Sequence, residues 1–87
     1  MKVLMRPVEM IAWFTTAGKP NPVKFKFASD GDDCIIIRVG RIITVEEEKI
    51  AGNRMYLYKC QSVVDNTEKI YELKYEIASC KWFLYKM

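Results

Sequence analysis

The sequence holds three cysteines, eleven Asp and Glu residues and no histidine, and this limits the chemistry open to the chain. Histidine is the commonest general acid-base group near neutral pH and the commonest metal ligand. Without it, any catalysis falls to Asp, Glu, Cys, Lys or Tyr. No phosphate loop, dinucleotide fingerprint or nucleophile elbow is present to organise such groups. The expectation is a protein that is not an enzyme and carries no cofactor.

The cysteines are Cys34, Cys60 and Cys80, an odd number at wide spacing. A disulfide framework needs an even set and a zinc site needs paired spacings such as Cys-x-x-Cys, so neither is predicted. Cys60 and Cys80 both fall on rows expected to be apolar, where a thiol is a small inert filler. Asp30, Asp32 and Asp33 around Gly31 resemble a fragment of a calcium loop, but the distal Glu of such a loop is missing and a solvated turn is the simpler reading. No metal is expected.

Two kinds of surface remain as candidates. Tyr56, Tyr58, Lys59, Lys74, Lys81 and Tyr85 combine rings with cations on neighbouring strands, the pairing that stacks bases and follows phosphates on single-stranded nucleic acid. Core packing competes for the same rings. The chain also has more apolar rows than one sheet face can hide, notably Ile11 with Trp13 and Phe83 with Tyr85, and surplus apolar surface marks interfaces. The favoured reading is therefore a non-catalytic protein-interaction module or homo-oligomer, with a single-stranded nucleic-acid binder as the alternative and no membrane partner.

The elements that must position these residues are short and extended. Tyr71, Leu73, Tyr75 and Ile77 alternate with Glu72, Lys74 and Glu76, which gives one apolar and one charged face. A two-residue turn at Asp65-Asn66 or Asn66-Thr67 puts Tyr71, Leu73 and Tyr75 on the side of Tyr56, Tyr58 and Cys60, and Asp and Asn tolerate the positive φ of a primed turn. Val23, Phe25 and Phe27 face inward on a second amphipathic strand, with Lys24 and Lys26 outward. Val8 to Thr15 reads as a strand apolar on both sides. Cys34 to Ile43 reads as another, with a bulge or bend at Gly40 where the inward parity slips. Thr44 to Asn53 reads as a two-turn helix, from the capping-box spacing of Thr44 and Glu47 and a stop at Gly52. Cys80 to Met87 closes the set as a strongly apolar strand.

At 87 residues the chain is expected to form one domain over 8–87 with a lead-in over 1–7. Folding should bury roughly 64% of the extended-chain surface, enough for a modest core. The net charge of +3 permits an anionic partner without arguing for one. Six strands with one helix between the third and fourth describe an all-β domain, a small antiparallel barrel or strongly curled sheet of the SH3-like or OB-like kind. With an opening stretch too short for an export signal and no long apolar run, the expected location is the cytoplasm. The segments Val8 to Phe14, Ala51 to Met55 and Cys80 to Met87 resemble a group of small uncharacterised bacterial proteins of about this length. That resemblance implies a stand-alone cytosolic domain and assigns a role to no residue.

Overall fold

The described residues form seven strands: β1 (Val3–Phe14), β2 (Pro20–Ala28), β3 (Cys34–Arg38), β4 (Arg41–Ile50), β5 (Asn53–Val64), β6 (Thr67–Glu76) and β7 (Lys81–Lys86). The computed structural model describes residues 1–28 and 33–87, so the turn bearing Asp30 and Asp32 lies outside the described residues. All pairings are antiparallel, in the order β3-β2-β1-β7-β6-β5-β4, and the sheet is strongly curled.

Two devices produce the curl. The first half of β1 pairs with β7 from Val3 to Val8, and its second half pairs with β2 from Glu9 to Phe14, so one bent strand serves both parts of the sheet. The second device is Gly40, which joins β3 to β4. Its N–H reaches the Gln61 carbonyl at 3.1 Å and Ser62 Oγ at 3.2 Å, and a Cβ there would come within 2.9 Å of the same carbonyl oxygen. Glycine is required by close approach of backbone, and the bend expected at this residue brings the end of β3 against β5.

The hairpin of β5 and β6 has the expected register. Asp65 and Asn66 both take positive φ, and Tyr71, Leu73 and Tyr75 stand opposite Cys60, Tyr58 and Tyr56. Their inward row meets Trp82 and Leu84 of β7 and, across the curl, Phe25 of β2 and Ile37 of β3. Rings set most of the contacts, with centroids 5.6 Å apart for Phe25 and Tyr71, 5.3 Å for Tyr58 and Trp82 and 4.8 Å for Tyr75 and Trp82. The buried hydroxyls have partners, as burial away from water demands. Tyr58 donates to the Pro20 carbonyl, and Tyr71 lies 2.5 Å from Ser62 Oγ.

Three expectations are corrected. Residues 44–53 form no helix. They belong to β4 and to a primed turn in which Ala51 has φ +51° and Gly52 φ +83°. A bulge between Ile42 and Thr44 makes Ile42 and Val45 both face the core three residues apart, which imitates helical spacing, while Glu47 bonds Arg54 across the hairpin instead of capping. The sheet therefore has seven strands, not six with a helix between the third and fourth. Residues 1–7 are no loose lead-in, since β1 starts at Val3 and Lys2 and Met87 exchange backbone hydrogen bonds of 3.0 and 3.1 Å. Cys80 is not in an apolar row. It is exposed in the turn before β7 with φ +59°. Among the described residues no helix is long and apolar enough to cross a membrane.

Candidate interaction surface

The outer face of β1, β2 and β3 follows directly from strand parity. Phe25, Phe27, Ile35 and Ile37 turn toward the core, so Lys24, Lys26, Ile36 and Arg38 must turn away from it. On β1 the inward residues are Val8, Met10 and Ala12, which leaves Glu9, Ile11 and Trp13 outside. Register then builds rows: Glu9 beside Lys26 beside Ile36, Ile11 beside Lys24 beside Arg38, and Trp13 beside Asn21.

This face presents large apolar groups to water. Trp13 is 74% exposed, Ile36 63% and Ile11 59%. An open groove of about 330 Å³ runs between Ile11 and Ile36, with Glu9, Lys24 and Lys26 along it. Lys26 is balanced by Glu9 at 3.5 Å. Among the described residues neither Lys24 nor Arg38 has a carboxylate within ion-pairing distance. The result is a groove with Ile11 on one bank, next to Trp13, and Ile36 on the other, with Lys24 between them and Arg38 beside Ile36, neither cation paired with a carboxylate among the described residues.

The aromatic and basic residues expected to form a binding face are split by the sheet. Tyr58 is fully buried, and burial pushes its phenol well above the ordinary range. Tyr56 also points inward, half-buried at the mouth of the curl and stacked on Tyr75 with centroids 6.4 Å apart. Lys59, Lys74, Lys81 and Tyr85 lie on the opposite, outer side. Even there they offer no open platform. Lys74 is itself buried, with its ammonium 3.8 Å from the Tyr85 ring centroid and 3.1 Å from Glu48 Oε2. Lys86 sits 5.0 Å from the same ring centroid, so Tyr85 is engaged by two cations.

The buried nucleophile candidates are muted by their surroundings, whereas Cys34 and Cys80 are exposed. Burial pushes the Cys60 thiol up to about 12, which keeps it protonated at neutral pH. The Tyr71 phenol is pushed up to about 12, chiefly by burial and despite the Ser62 hydrogen bond that lowers it. Tyr75 reaches about 12 through its contact with Cys80 and then through burial. Glu76 moves the other way: hydrogen bonds from Ser79 and Asn53 hold its carboxyl below the usual range. Among the described residues no three His, Cys, Asp or Glu side chains gather in a group suited to a metal ion.

Of the face on β1, β2 and β3, Ile11 and Trp13 were legible in the sequence as a surplus apolar pair. Ile36 and Arg38 do not stand out together in the sequence. Their signal is the even-numbered row Cys34, Ile36, Arg38, which must face out once Ile35 and Ile37 face in. No family model, curated protein or solved structure matches this chain, so the assignment of a surface rests on its own geometry.

Proposed function

We propose that the protein is a non-catalytic interaction module whose outer face on β1, β2 and β3 takes a segment of a partner protein bearing apolar and acidic side chains. The observation that carries this reading is the exposure of Trp13 and Ile11 on β1 and of Ile36 on β3, on either side of a groove with Lys24 in it and Arg38 beside it. Exposed apolar groups in this number lie where a fold is covered by something else, and Trp is a residue type that dominates binding energy at such contacts. The two uncompensated cations select for carboxylates on the partner and steer its approach. Isoleucines have no face on which a base can stack, and Trp13 is the one large ring on this surface, which favours a protein over single-stranded nucleic acid.

Trp13 supplies the readout, because the second tryptophan, Trp82, is buried. An extended synthetic peptide of alternating valine and glutamate is expected to shift the emission of Trp13 to the blue, and the Trp13→Phe variant should lose the shift. A peptide of alternating valine and lysine should leave it unchanged. If neither peptide acts while mixed oligonucleotides at low salt quench Trp13, the nucleic-acid reading replaces this one. Silence toward all three probes removes the proposed surface altogether.

A further inference from the structure

The edge of β3 differs in kind from the face beside it. Val39 donates its N–H to the Val23 carbonyl at 2.9 Å. Antiparallel ladders alternate, so Ile35, Ile37 and Val39 spend their backbone groups on β2, and those of Cys34, Ile36 and Arg38 point to the open side. Among the described residues no strand pairs there. The strand reads Cys-Ile-Ile-Ile-Arg, without the Lys, Pro or inward charge that usually blunts an apolar edge.

We propose that two copies of this chain join through β3, edge to edge and antiparallel, about a two-fold axis passing beside Ile36. Such pairing sets Ile36 opposite its counterpart and Cys34 opposite Arg38, so each residue with a free N–H and carbonyl meets another of the same kind. Ile35 then stands across from Ile37, which keeps apolar side chains together on the inner side. The ends are complementary as well. Exposed Asp33 precedes β3 and Arg38 ends it, and antiparallel pairing brings the acidic end of one copy beside the Arg38 end of the other. A closed two-fold contact of this sort uses one patch twice and stops at two copies. The alternative edge, β4, fits itself poorly: a two-fold centred on Glu46 or Glu47 sets carboxylates directly opposite one another.

The dimer would carry the two outer faces side by side on one continued sheet, which makes the module bivalent. It does not depend on what that face binds. Five residues are few beside the roughly 800 Å² per partner of a standard interface, so the association is a weak one.

Sedimentation of the full chain with Cys34→Ser under reducing conditions, which keep the second exposed thiol, Cys80, from crosslinking copies, tests the proposal. The mass is expected to rise from 10.2 kDa toward twice that value over a concentration range of about 10 μM to 1 mM. Ile36→Pro removes an N–H that makes no internal bond and should hold the mass at one chain; Ile36→Lys should do the same by placing two charges face to face. Circular dichroism confirms that each variant is folded. Hydrogen exchange at the amides of Ile36 and Arg38 should slow as concentration rises, and the amides of Val45 and Glu47 on β4 should not respond. A single-chain mass throughout overturns the proposal, as does dimerisation of folded Ile36→Pro or Ile36→Lys at the wild-type concentration. Trp13→Phe should leave the mass curve unchanged, which separates a failure here from a failure of the binding face.

Discussion

The sheet ends on two strands of opposite character. β4 is ten residues long and carries Glu46, Glu47 and Glu48 in succession, with Glu47 held 2.6 Å from Arg54 and Glu48 3.1 Å from Lys74. β3 is five residues long and carries three isoleucines. A long edge is the greater hazard, because it offers more unpaired backbone to another chain, and here the long edge is the charged one. The short edge is left apolar. The difference indicates that self-pairing is suppressed where it would be extensive and left open where it would be small and closed.

Both edges depend on one interior, and the largest predicted effect tests it. Cys60 and Tyr71 are buried in forms that must stay neutral, with ordinary values of 9.0 and 10.0 each raised to about 12. A raised value means that the unfolded chain releases its proton first. Stability from these groups is complete below pH 9, erodes from there as the unfolded thiol ionises and from pH 10 as the phenol does, and is gone near pH 12. At about 1.4 kcal/mol for each pH unit of difference, the combined loss is several kcal/mol. Urea midpoints measured from pH 7 to pH 12 should fall steeply above pH 9, and Cys60→Ala should delay the onset toward pH 10. A flat profile would show that the core admits water.

Gly40 joins the two edges and comes next. The Cβ of Gly40→Ala would meet the Gln61 carbonyl oxygen at 2.9 Å, and backbone cannot swing away as a side chain does. The corner must open, which strains the two hydrogen bonds of the Gly40 N–H and costs about 1–3 kcal/mol. Denaturant unfolding is the measure. A loss under half a kcal/mol would mean that β3 and β4 are hinged loosely and that their contrast is not built into the corner.

The guard on β4 should have a smaller price. Lys74 has only a tenth of its side chain exposed and its ammonium lies between the Tyr85 ring and Glu48, whose Oε2 has no hydrogen-bond partner among the described residues and meets the cation through charge alone. Glu48→Ala leaves that ammonium with the ring only and should cost about 1–2 kcal/mol, less than a deeply buried pair because Glu48 is partly wet. Lys74→Met in the same background should recover most of it. If it does not, the pair is decoration and β4 is guarded by its carboxylates alone.

How much of this was legible in the sequence follows the same division. The facing of β6 could be read, because Tyr71, Leu73 and Tyr75 alternate with charges and either two-residue turn puts them with Tyr56, Tyr58 and Cys60; that the turn is Asp65-Asn66 and that the strand stops at Glu76, before Ile77, could not. β2 was equally clear. β4 was not, because a single bulged residue converts period two into a spacing of three, and Thr44, Glu47 and Gly52 happen to fit a helix that the chain never forms. The candidate surface was half visible. Ile11 and Trp13 stand out as apolar residues on the wrong parity of their own strand, but joining them to Ile36 and Arg38 needs the order of β1, β2 and β3 in the sheet, and that is not local information. Tyr56 and Tyr58 were offered to a ligand for the same reason: sequence shows that rings share a row and leaves open which side of the sheet closes over it.

The smallest predicted effect lies within β3 itself. Ile36 and Ile37 are neighbours, yet Ile36 is 63% exposed and Ile37 only 3%. Under conditions dilute enough to keep the chain single, Ile36→Thr should change the unfolding free energy by less than about 0.5 kcal/mol, as exposed substitutions do. Ile37→Thr buries a hydroxyl where no partner is placed and trims the core, at about 2–3 kcal/mol. The measurement separates the two roles an apolar edge residue can have, since an isoleucine kept for folding loses stability in the monomer and one kept for contact does not. A large loss at Ile36 would mean that its side chain is already covered within one chain, and β3 would then have no spare surface to offer a second copy.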